Sequence, residues 1–123
     1  MVYHSNLNKI LSEDKFAITA EIGPPKGSDP NKIKDKAKIV KSYADAFNIT
    51  DNQTAVVRLS SLGGSILILN MGLEPIMQIT CRDRNRIALQ SDVLGASANG
   101  IKNILFLTGD HQLFGNHPNA KGV

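Results

Sequence analysis

The fold class is decided by the stretch Ile104-Leu105-Phe106-Leu107-Thr108-Gly109-Asp110, where four consecutive apolar residues end at a polar turn. A short run that is apolar at every position is typical of a strand in a parallel sheet whose faces are both covered. Three earlier runs have the same order and end at the polar residues Glu21, Thr50 and Thr80. Segments of helical character separate them, so the sequence predicts an α/β fold with parallel strands.

The polar residues that end these runs are evenly spaced. Intervals of 29, 30 and 30 residues separate Glu21, Thr50, Thr80 and Asp110. One βα unit has about this length, so the chain contains four such units in succession. Because the carboxyl ends of parallel strands point toward the ligand in such folds, we expect the four polar residues to converge on one site.

The elements of each unit are predicted from apolar periodicity and from residues that start or end helices. Asp29 and Pro30 are the N-cap and the first residue of the first helix, and Gly72 and Gly100 end the second and third helices. The predicted strands are 16–20, 46–49, 75–79 and 104–107, and the predicted helices are 30–43, 58–70 and 84–99.

Two of the helices carry a further expectation about packing. Gly63 and Gly64 each cost the second helix about 1 kcal/mol relative to alanine, so we expect close packing against a neighbour to compensate. In the third helix, Ile87, Leu94 and Ala98 share one face and predict its apolar side.

Four βα units fit two architectures, a small doubly wound sheet or half of an eight-stranded barrel of about 250 residues. After Gly109 the chain is loop-like and offers no helix to cover the fourth strand, whereas a doubly wound domain would close with one. The sequence therefore predicts a partial TIM (β/α)8 barrel, with residues 1–123 as a single incomplete domain.

Composition excludes several classes of protein. The 123 residues carry a formal charge of +3, but the lysines are dispersed and only 5% of residues are aromatic, which argues against nucleic-acid binding. No apolar run approaches the roughly 18 residues of a membrane span. Cys81 is the single cysteine, so an internal disulfide is excluded. The first residues lack the order of a signal peptide, and we expect a cytoplasmic protein.

Two carboxylates are candidates for chemistry, each with an ordinary alternative. Glu21 follows an apolar strand and precedes a Pro-Pro turn, where desolvation would favour the neutral form needed by a general acid; it would otherwise be a solvated strand-end residue. Asp110 could accept hydrogen bonds from a ligand ring, or it could cap a turn. Turn formation alone accounts for Thr50 and Asp51, and Gly109 would supply a positive φ or a close ligand approach.

Metal and nucleotide sites are disfavoured by spacing. His111 and His117 lie six residues apart near Asp110, without the helical spacing of known metal sites, so we expect no metal. Neither a Gly-x-Gly-x-x-Gly motif after the first strand nor a Gly-Lys-Ser/Thr motif occurs, which argues against Rossmann-type and P-loop sites.

Four motifs, one at each predicted strand end, occur in a recognisable order. They are Ala20-Glu21-Ile22-Gly23-Pro24-Pro25-Lys26-Gly27, Asn48-Ile49-Thr50-Asp51-Asn52-Gln53, Gln78-Ile79-Thr80-Cys81-Arg82-Asp83 and Leu107-Thr108-Gly109-Asp110-His111. With them, the chain resembles the 5,10-methylenetetrahydrofolate reductase family over nearly its whole length. The resemblance covers the first half of that family's eight-stranded barrel and is nearest to the reductases of anaerobic one-carbon pathways.

The resemblance implies an activity and roles for individual residues. The family reduces methylenetetrahydrofolate to 5-methyltetrahydrofolate, usually through a flavin. Glu21 matches the general acid that protonates the folate and opens its five-membered ring. Asp110 matches the aspartate between flavin and pterin, and Thr50 matches a threonine beside the flavin that also faces the substrate. Leu107 to Gly109 match backbone that lines the flavin.

Two departures from the family pattern leave the flavin open. Gln78 stands where several flavin-bearing members have histidine, and Thr108 stands where they have an arginine that contacts the cofactor phosphates. The resemblance implies FAD, with FMN or no tightly bound flavin as alternatives.

The implied partners are a folate substrate and a reduced nicotinamide or another electron donor, with no nucleic acid and no membrane. Half a barrel exposes two sheet edges, so we expect residues 1–123 alone to be inactive and to pair with a second copy or a partner subunit. Two other functions stay open: a non-catalytic assembly module that pairs through those edges, and a pterin-binding barrel with methyltransferase chemistry.

Overall fold

The structure, a computed structural model, describes residues 2–122. Four parallel strands form one sheet in the order β1-β2-β3-β4, and consecutive strands are joined by helices. The predicted α/β class with parallel strands is confirmed, and this arrangement is that of successive units in a βα barrel. The elements are α1 (Asn6–Ser12), β1 (Thr19–Ile22), α2 (Pro30–Val40), β2 (Ala46–Ile49), α3 (Ser61–Leu69), β3 (Pro75–Thr80), α4 (Arg86–Ala98) and β4 (Asn103–Leu107).

Local signals set the ends of the helices. The Asp29 carboxylate accepts a hydrogen bond from the amide of Asn31 at 2.9 Å and caps α2, with Pro30 as its first residue. Gly72 and Gly100, which follow α3 and α4, have φ of +79° and +86°, the left-handed backbone that glycine adopts without strain. The predicted start of α2 and the glycine ends of α3 and α4 are therefore confirmed.

The core lies between one face of the sheet and helices α2 to α4. Ile22, Phe47 and Ile49 pack with Ile33 of α2 in one cluster, and Met77 and Ile79 pack with α4 in a second. Close packing at α3 is confirmed. A Cβ on Gly64 would lie 3.0 Å from side-chain atoms of Ile33 and Ile49, so glycine lets α3 approach the sheet without displacing them.

The opposite face of the sheet is open in the described part of the chain. Parallel pairing places Glu21 beside Asn48, and Gln78 beside Leu105. Because side chains alternate between the two faces of a strand, these residues point away from the helices. Glu21 and Leu105 are exposed, whereas Asn48 and Gln78 are half-buried. This face carries the polar residues that the sequence singles out.

The predicted first strand, 16–20, is wrong at both ends. β1 begins at Thr19, which pairs with Ala46 at the start of β2, and it extends through Ile22. Phe16 precedes β1 and is 89% exposed. The length of a strand is set by its hydrogen-bonding neighbour, which an apolar run does not reveal, and Glu21 consequently lies within β1 rather than after it.

Two expectations about buried faces are also wrong for the described residues. Ile87 and Leu94 of α4 are exposed, and Ala96 is the buried residue of that helix. β4 is an edge strand whose residues Leu105 and Phe106 are exposed, although its apolar run is typical of a strand covered on both faces. Both differences have one cause, because α4 and β4 lie at the side of the sheet that has no further neighbour here.

Helix α1 has no counterpart among the predicted elements. Its first amides, those of Asn6 and Leu7, donate to the carboxylate of Glu74 at 2.7 and 2.8 Å. Glu74 directly precedes β3, so α1 sits at the amino end of the sheet, away from the polar strand ends. Of the helices between residues 2 and 122, none is both long and apolar enough to cross a membrane.

Candidate functional site

A cleft of about 290 Å³ lies at the carboxyl ends of β3 and β4. Its walls come from the loop after β2, the end of β3 and the first residues after β4. Five residues that the sequence assigns to the site line it together, although the strands that carry them are 30 residues apart in sequence. The lining residues are Asp51, Gln53, Gln78, Thr80, Leu107, Thr108, Gly109 and Asp110.

The floor of the cleft contains a buried ion pair. The Asp51 side chain is fully buried, and its Oδ2 lies 2.5 Å from Nη1 of Arg84. The same oxygen accepts hydrogen bonds from the amide and the hydroxyl of Thr80, at 2.8 and 3.1 Å. Arg84 also donates to the Asp92 carboxylate of α4 at 3.0 Å. The network joins the loop after β2 to the end of β3 and to α4.

The charges in this network determine the protonation of Arg84. Burial of the guanidinium by itself lowers its pKa, but hydrogen bonds and opposite charge from Asp51 and then Asp92 outweigh burial. The pKa of Arg84 is therefore raised above its ordinary value, and the side chain is permanently cationic. Asp51 is not the simple turn residue that the sequence suggested.

A second buried arginine connects three loops. The Arg82 side chain is 5% exposed and pairs with Asp83 at 2.8 Å. Its Nη1 donates to the carbonyl oxygen of Asp110 at 3.0 Å, and its Nη2 contacts the carbonyl oxygen of Asn52 at 3.4 Å. Arg82 thus fixes the loops after β2 and β4 relative to the end of β3.

The loop after β2 is held in a strained conformation. Asn52, Thr54 and Ala55 all have positive φ, between +45° and +60°, which costs of order 1–3 kcal/mol for each such residue. The amide of Thr54 donates to Oδ2 of Asp110 at 2.6 Å, and the amide of Val57 donates to the side chain of Asn116 at 2.7 Å. The segment after β4 therefore maintains the shape of this loop.

Gly115 allows the same two segments to touch. A Cβ at this position would lie 1.8 Å from the carbonyl oxygen of Ala55, a distance that no rearrangement of side chains could relieve. We expect Gly115→Ala to separate the segments and to lower the free energy of unfolding by about 1–3 kcal/mol, measured by urea denaturation.

The matched control is Gly27→Ala, since a Cβ there meets nothing within 4 Å. We expect this control to unfold within about 0.5 kcal/mol of the parent. Equal stability of both variants would show that the contact between Gly115 and Ala55 does not constrain the loop.

The four polar residues expected to converge do so only in part. Thr80 and Asp110 line the cleft, and Thr50 is buried beside it with its hydroxyl donating to the side-chain oxygen of Gln53. Glu21 is exposed on the open face, two strand spacings, or about 10 Å, from β3. The expected convergence is seen for Thr50, Thr80 and Asp110 and stays a prediction for Glu21, which lies within β1 and does not line this cleft.

Residues 2–122 contain no group of three or more histidine, cysteine, aspartate or glutamate side chains arranged to hold a metal ion. His111 accepts a hydrogen bond from the amide of Leu113 at 3.1 Å, and His117 is exposed at the wall of a separate cavity.

A family model described as methylenetetrahydrofolate reductase matches residues 6–122. The chain belongs to the methylenetetrahydrofolate reductase family. A search of curated proteins found no match. Membership indicates an oxidoreductase of folate-linked one-carbon metabolism with a barrel fold, and the family is generally associated with flavins.

The residues that line the cleft suit the ring of a flavin better than its phosphates. Leu107 supplies an apolar surface, and Gln53 and Gln78 supply amides for a polar ring edge. Gly109 has φ of +81°, and a Cβ there would lie 3.0 Å from the side chain of Thr80, so glycine lets the loop after β4 lie close to the end of β3. Among the lining residues of the cleft there is no lysine or arginine that could bind a phosphate group.

The sequence reasoning missed Arg82 and Arg84 as parts of the site. Both follow β3 directly and face the loop after β2, where Asp51 lies one βα unit earlier. The available signal was opposite charge just after neighbouring strands, because Asp51 follows β2 and the two arginines follow β3. Local turn chemistry by itself accounts for an aspartate at position 51, so its sequence context does not indicate a charged partner.

Proposed function

We propose that this chain carries the acid and pterin-binding half of an enzyme that reduces 5,10-methylenetetrahydrofolate to 5-methyltetrahydrofolate. One observation carries the proposal: Gln78, Leu107, Thr108, Gly109 and Asp110, all assigned to the site by family resemblance, line one cleft. The cleft lies at the carboxyl end of a parallel sheet, where barrel enzymes bind their substrates. Membership of the family supports the same conclusion.

Glu21 is proposed as the general acid. Its carboxyl group protonates a nitrogen of the five-membered folate ring, the bond from that nitrogen to the methylene carbon breaks, and an electrophilic iminium remains. When bound, a flavin supplies the hydride that converts this carbon to a methyl group. Glu21 lies within a strand, so the backbone around it is held by hydrogen bonds to β2.

Asp110 is proposed to orient the pterin. Its Oδ2 accepts a hydrogen bond from the amide of Thr54. No group within residues 2–122 donates a hydrogen bond to its Oδ1, so that oxygen is available to a ligand. The carboxylate is exposed, so it would also bias the electronics of a flavin bound beside it. Thr50 and Gln78 are proposed as further cofactor contacts, and Thr50 also as a substrate contact.

We propose FAD as the cofactor, with FMN as the alternative, and a reduced nicotinamide or another electron carrier as the donor. We also propose that residues 1–123 need further strands for turnover. β1 and β4 each have one neighbour among the described residues, and Leu105 and Phe106 expose apolar surface at the β4 edge. The same edge would bind a second copy or a partner subunit.

The proposal is tested with the full-length gene product, purified and titrated with FAD and FMN. Bound flavin is reduced chemically without oxygen and then mixed with methylenetetrahydrofolate. We expect the visible flavin absorbance to return with formation of one equivalent of 5-methyltetrahydrofolate. Reduced flavin that stays reduced would contradict the proposal. Folate binding without flavin binding would instead favour a methyltransferase, and binding of neither would favour an assembly module.

A further inference from the structure

Asn48 lies at the centre of the open face and has no role in the function proposed above. Its neighbours in β2, Phe47 and Ile49, are buried in the core on the helix side. Side chains alternate along a strand, so the amide of Asn48 points to the open face. The register pairs Asn48 with Glu21 of β1, and the Cα atoms of such a pair are about 5 Å apart.

On its other side Asn48 is tied to β3. The amide nitrogen of Gln78 lies 3.3 Å from Oδ1 of Asn48, and both side chains are half-buried. A carboxamide carries its oxygen and its NH2 group on different edges of one plane. The oxygen is thus engaged by β3, and none of the hydrogens of the NH2 group has an acceptor in residues 2–122. The neighbour of Asn48 on the β1 side of this face is Glu21.

We propose that Asn48 is a positioning residue, which donates a hydrogen bond to the Glu21 carboxyl group and holds it toward the folate. This inference rests on the proposed function, since it takes Glu21 as the acid. Glu21 is exposed and makes no hydrogen bond through its side chain within residues 2–122, so its rotamers are otherwise unrestrained. When the NH2 group of Asn48 donates a hydrogen bond to the carbonyl oxygen of protonated Glu21, the O–H group of Glu21 stays available to donate its proton to the substrate.

The inference implies that Asn48 and Glu21 act as one unit, which a double-mutant cycle in the full-length gene product can measure. The variants are Asn48→Leu, Glu21→Gln and the pair. We expect Asn48→Leu alone to slow the folate half-reaction about tenfold and, in the Glu21→Gln background, to change the residual rate less than about twofold. The dissociation constant for 5-methyltetrahydrofolate and the rate of flavin reduction should stay within about twofold.

Two further variants separate this role from a structural one. Asn48→Asp keeps the acceptor for Gln78 but removes the donor toward Glu21, and we expect it to lose as much activity as Asn48→Leu. Thr19→Leu, at the preceding position of β1 on the same face, is the matched control for added apolar surface. We expect Thr19→Leu to react as the parent does. Circular dichroism of each variant establishes that it is folded, and Asn48→Asp decides the question if Asn48→Leu does not fold.

The outcomes for the inference and for the proposed function differ. Suppose that Glu21→Gln slows the folate half-reaction and Asn48→Leu has no effect. Or suppose that Asn48→Leu slows the reaction by the same factor in the parent and in the Glu21→Gln background. Either result overturns only the positioning role. If Glu21→Gln itself reacts as fast as the parent, the acid assignment fails and the inference fails with it.

Discussion

Glu21→Gln in the full-length gene product is expected to slow reduction of methylenetetrahydrofolate by about 10²–10⁴-fold, the usual contribution of a general acid. The carboxamide has nearly the shape of the carboxyl group but cannot release a proton to the folate ring nitrogen. Glu21 is exposed on the sheet face, so the substitution leaves the core unchanged. Reduction of the flavin by its electron donor needs no acid at this position and should continue within about twofold of the parent rate.

The two half-reactions are measured separately by stopped-flow absorbance of the flavin. Glu13→Gln is the matched control, since it makes the same chemical change at an exposed carboxylate, which follows α1 and pairs with Lys15 at 2.6 Å. We expect the control to match the parent in both half-reactions. An equal loss in both half-reactions of Glu21→Gln would indicate that Glu21 has a structural role, and no loss in the folate step would remove it from the mechanism.

Signals within a few residues were sufficient for most of the helix and strand positions. Asp29 and Pro30 start α2 where the sequence places it, and β2 spans Ala46–Ile49 as predicted. The interval of about 30 residues placed the carboxyl ends of the strands at one edge of the sheet, but the parallel register pairs residues 27 or 28 positions apart. Glu21 is therefore level with Asn48 and not with Thr50. Periodicity therefore indicated Thr80 and Asp110 of the cleft, whereas Gln78 and residues 107–109 were assigned by family resemblance.

Features that depend on distant partners were not accessible in this way. The start of β1 is set by its pairing with the start of β2. Helix α1 is held by Glu74, which accepts hydrogen bonds from amides 67 and 68 residues away in sequence. Asp51 has the sequence context of a turn, and only its contact with Arg84, 33 residues later, makes it a buried charge. Each of these features depends on a contact between two residues that are far apart in sequence. The sequence around one of them does not indicate which residue it contacts.

Asp51→Ala is expected to have the largest effect on stability. Removing one member of a buried ion pair leaves the other charge without compensation, which costs about 3–5 kcal/mol. Here Asp92 stays paired with Arg84 at 3.0 Å, so we expect a loss near the lower end, about 3 kcal/mol. The amide of Thr80 loses its acceptor as well. Urea denaturation followed by circular dichroism measures the loss.

The control for Asp51→Ala is Asp35→Ala, which removes an aspartate from an exposed pair with Lys38 at 3.3 Å. Exposed pairs contribute about 0–1 kcal/mol, so this variant should unfold close to the parent. Similar losses for the two variants would contradict the idea that burial makes the pair of Asp51 and Arg84 different.

The double variant Asp51→Leu with Arg84→Met tests whether the buried ion pair contributes to ligand binding or only to stability. Replacing both partners by apolar residues removes the uncompensated charge, so we expect the double variant to be more stable than Asp51→Ala. The amide of Thr80 still lacks its acceptor, so we expect stability to stay about 1–3 kcal/mol below the parent. Position 51 also borders the cleft, and its carboxylate orients Thr80 there. A double variant that is stable yet binds neither flavin nor folate would assign the ion pair to the geometry of the site. One that is stable and binds both would leave the pair without a function in ligand binding.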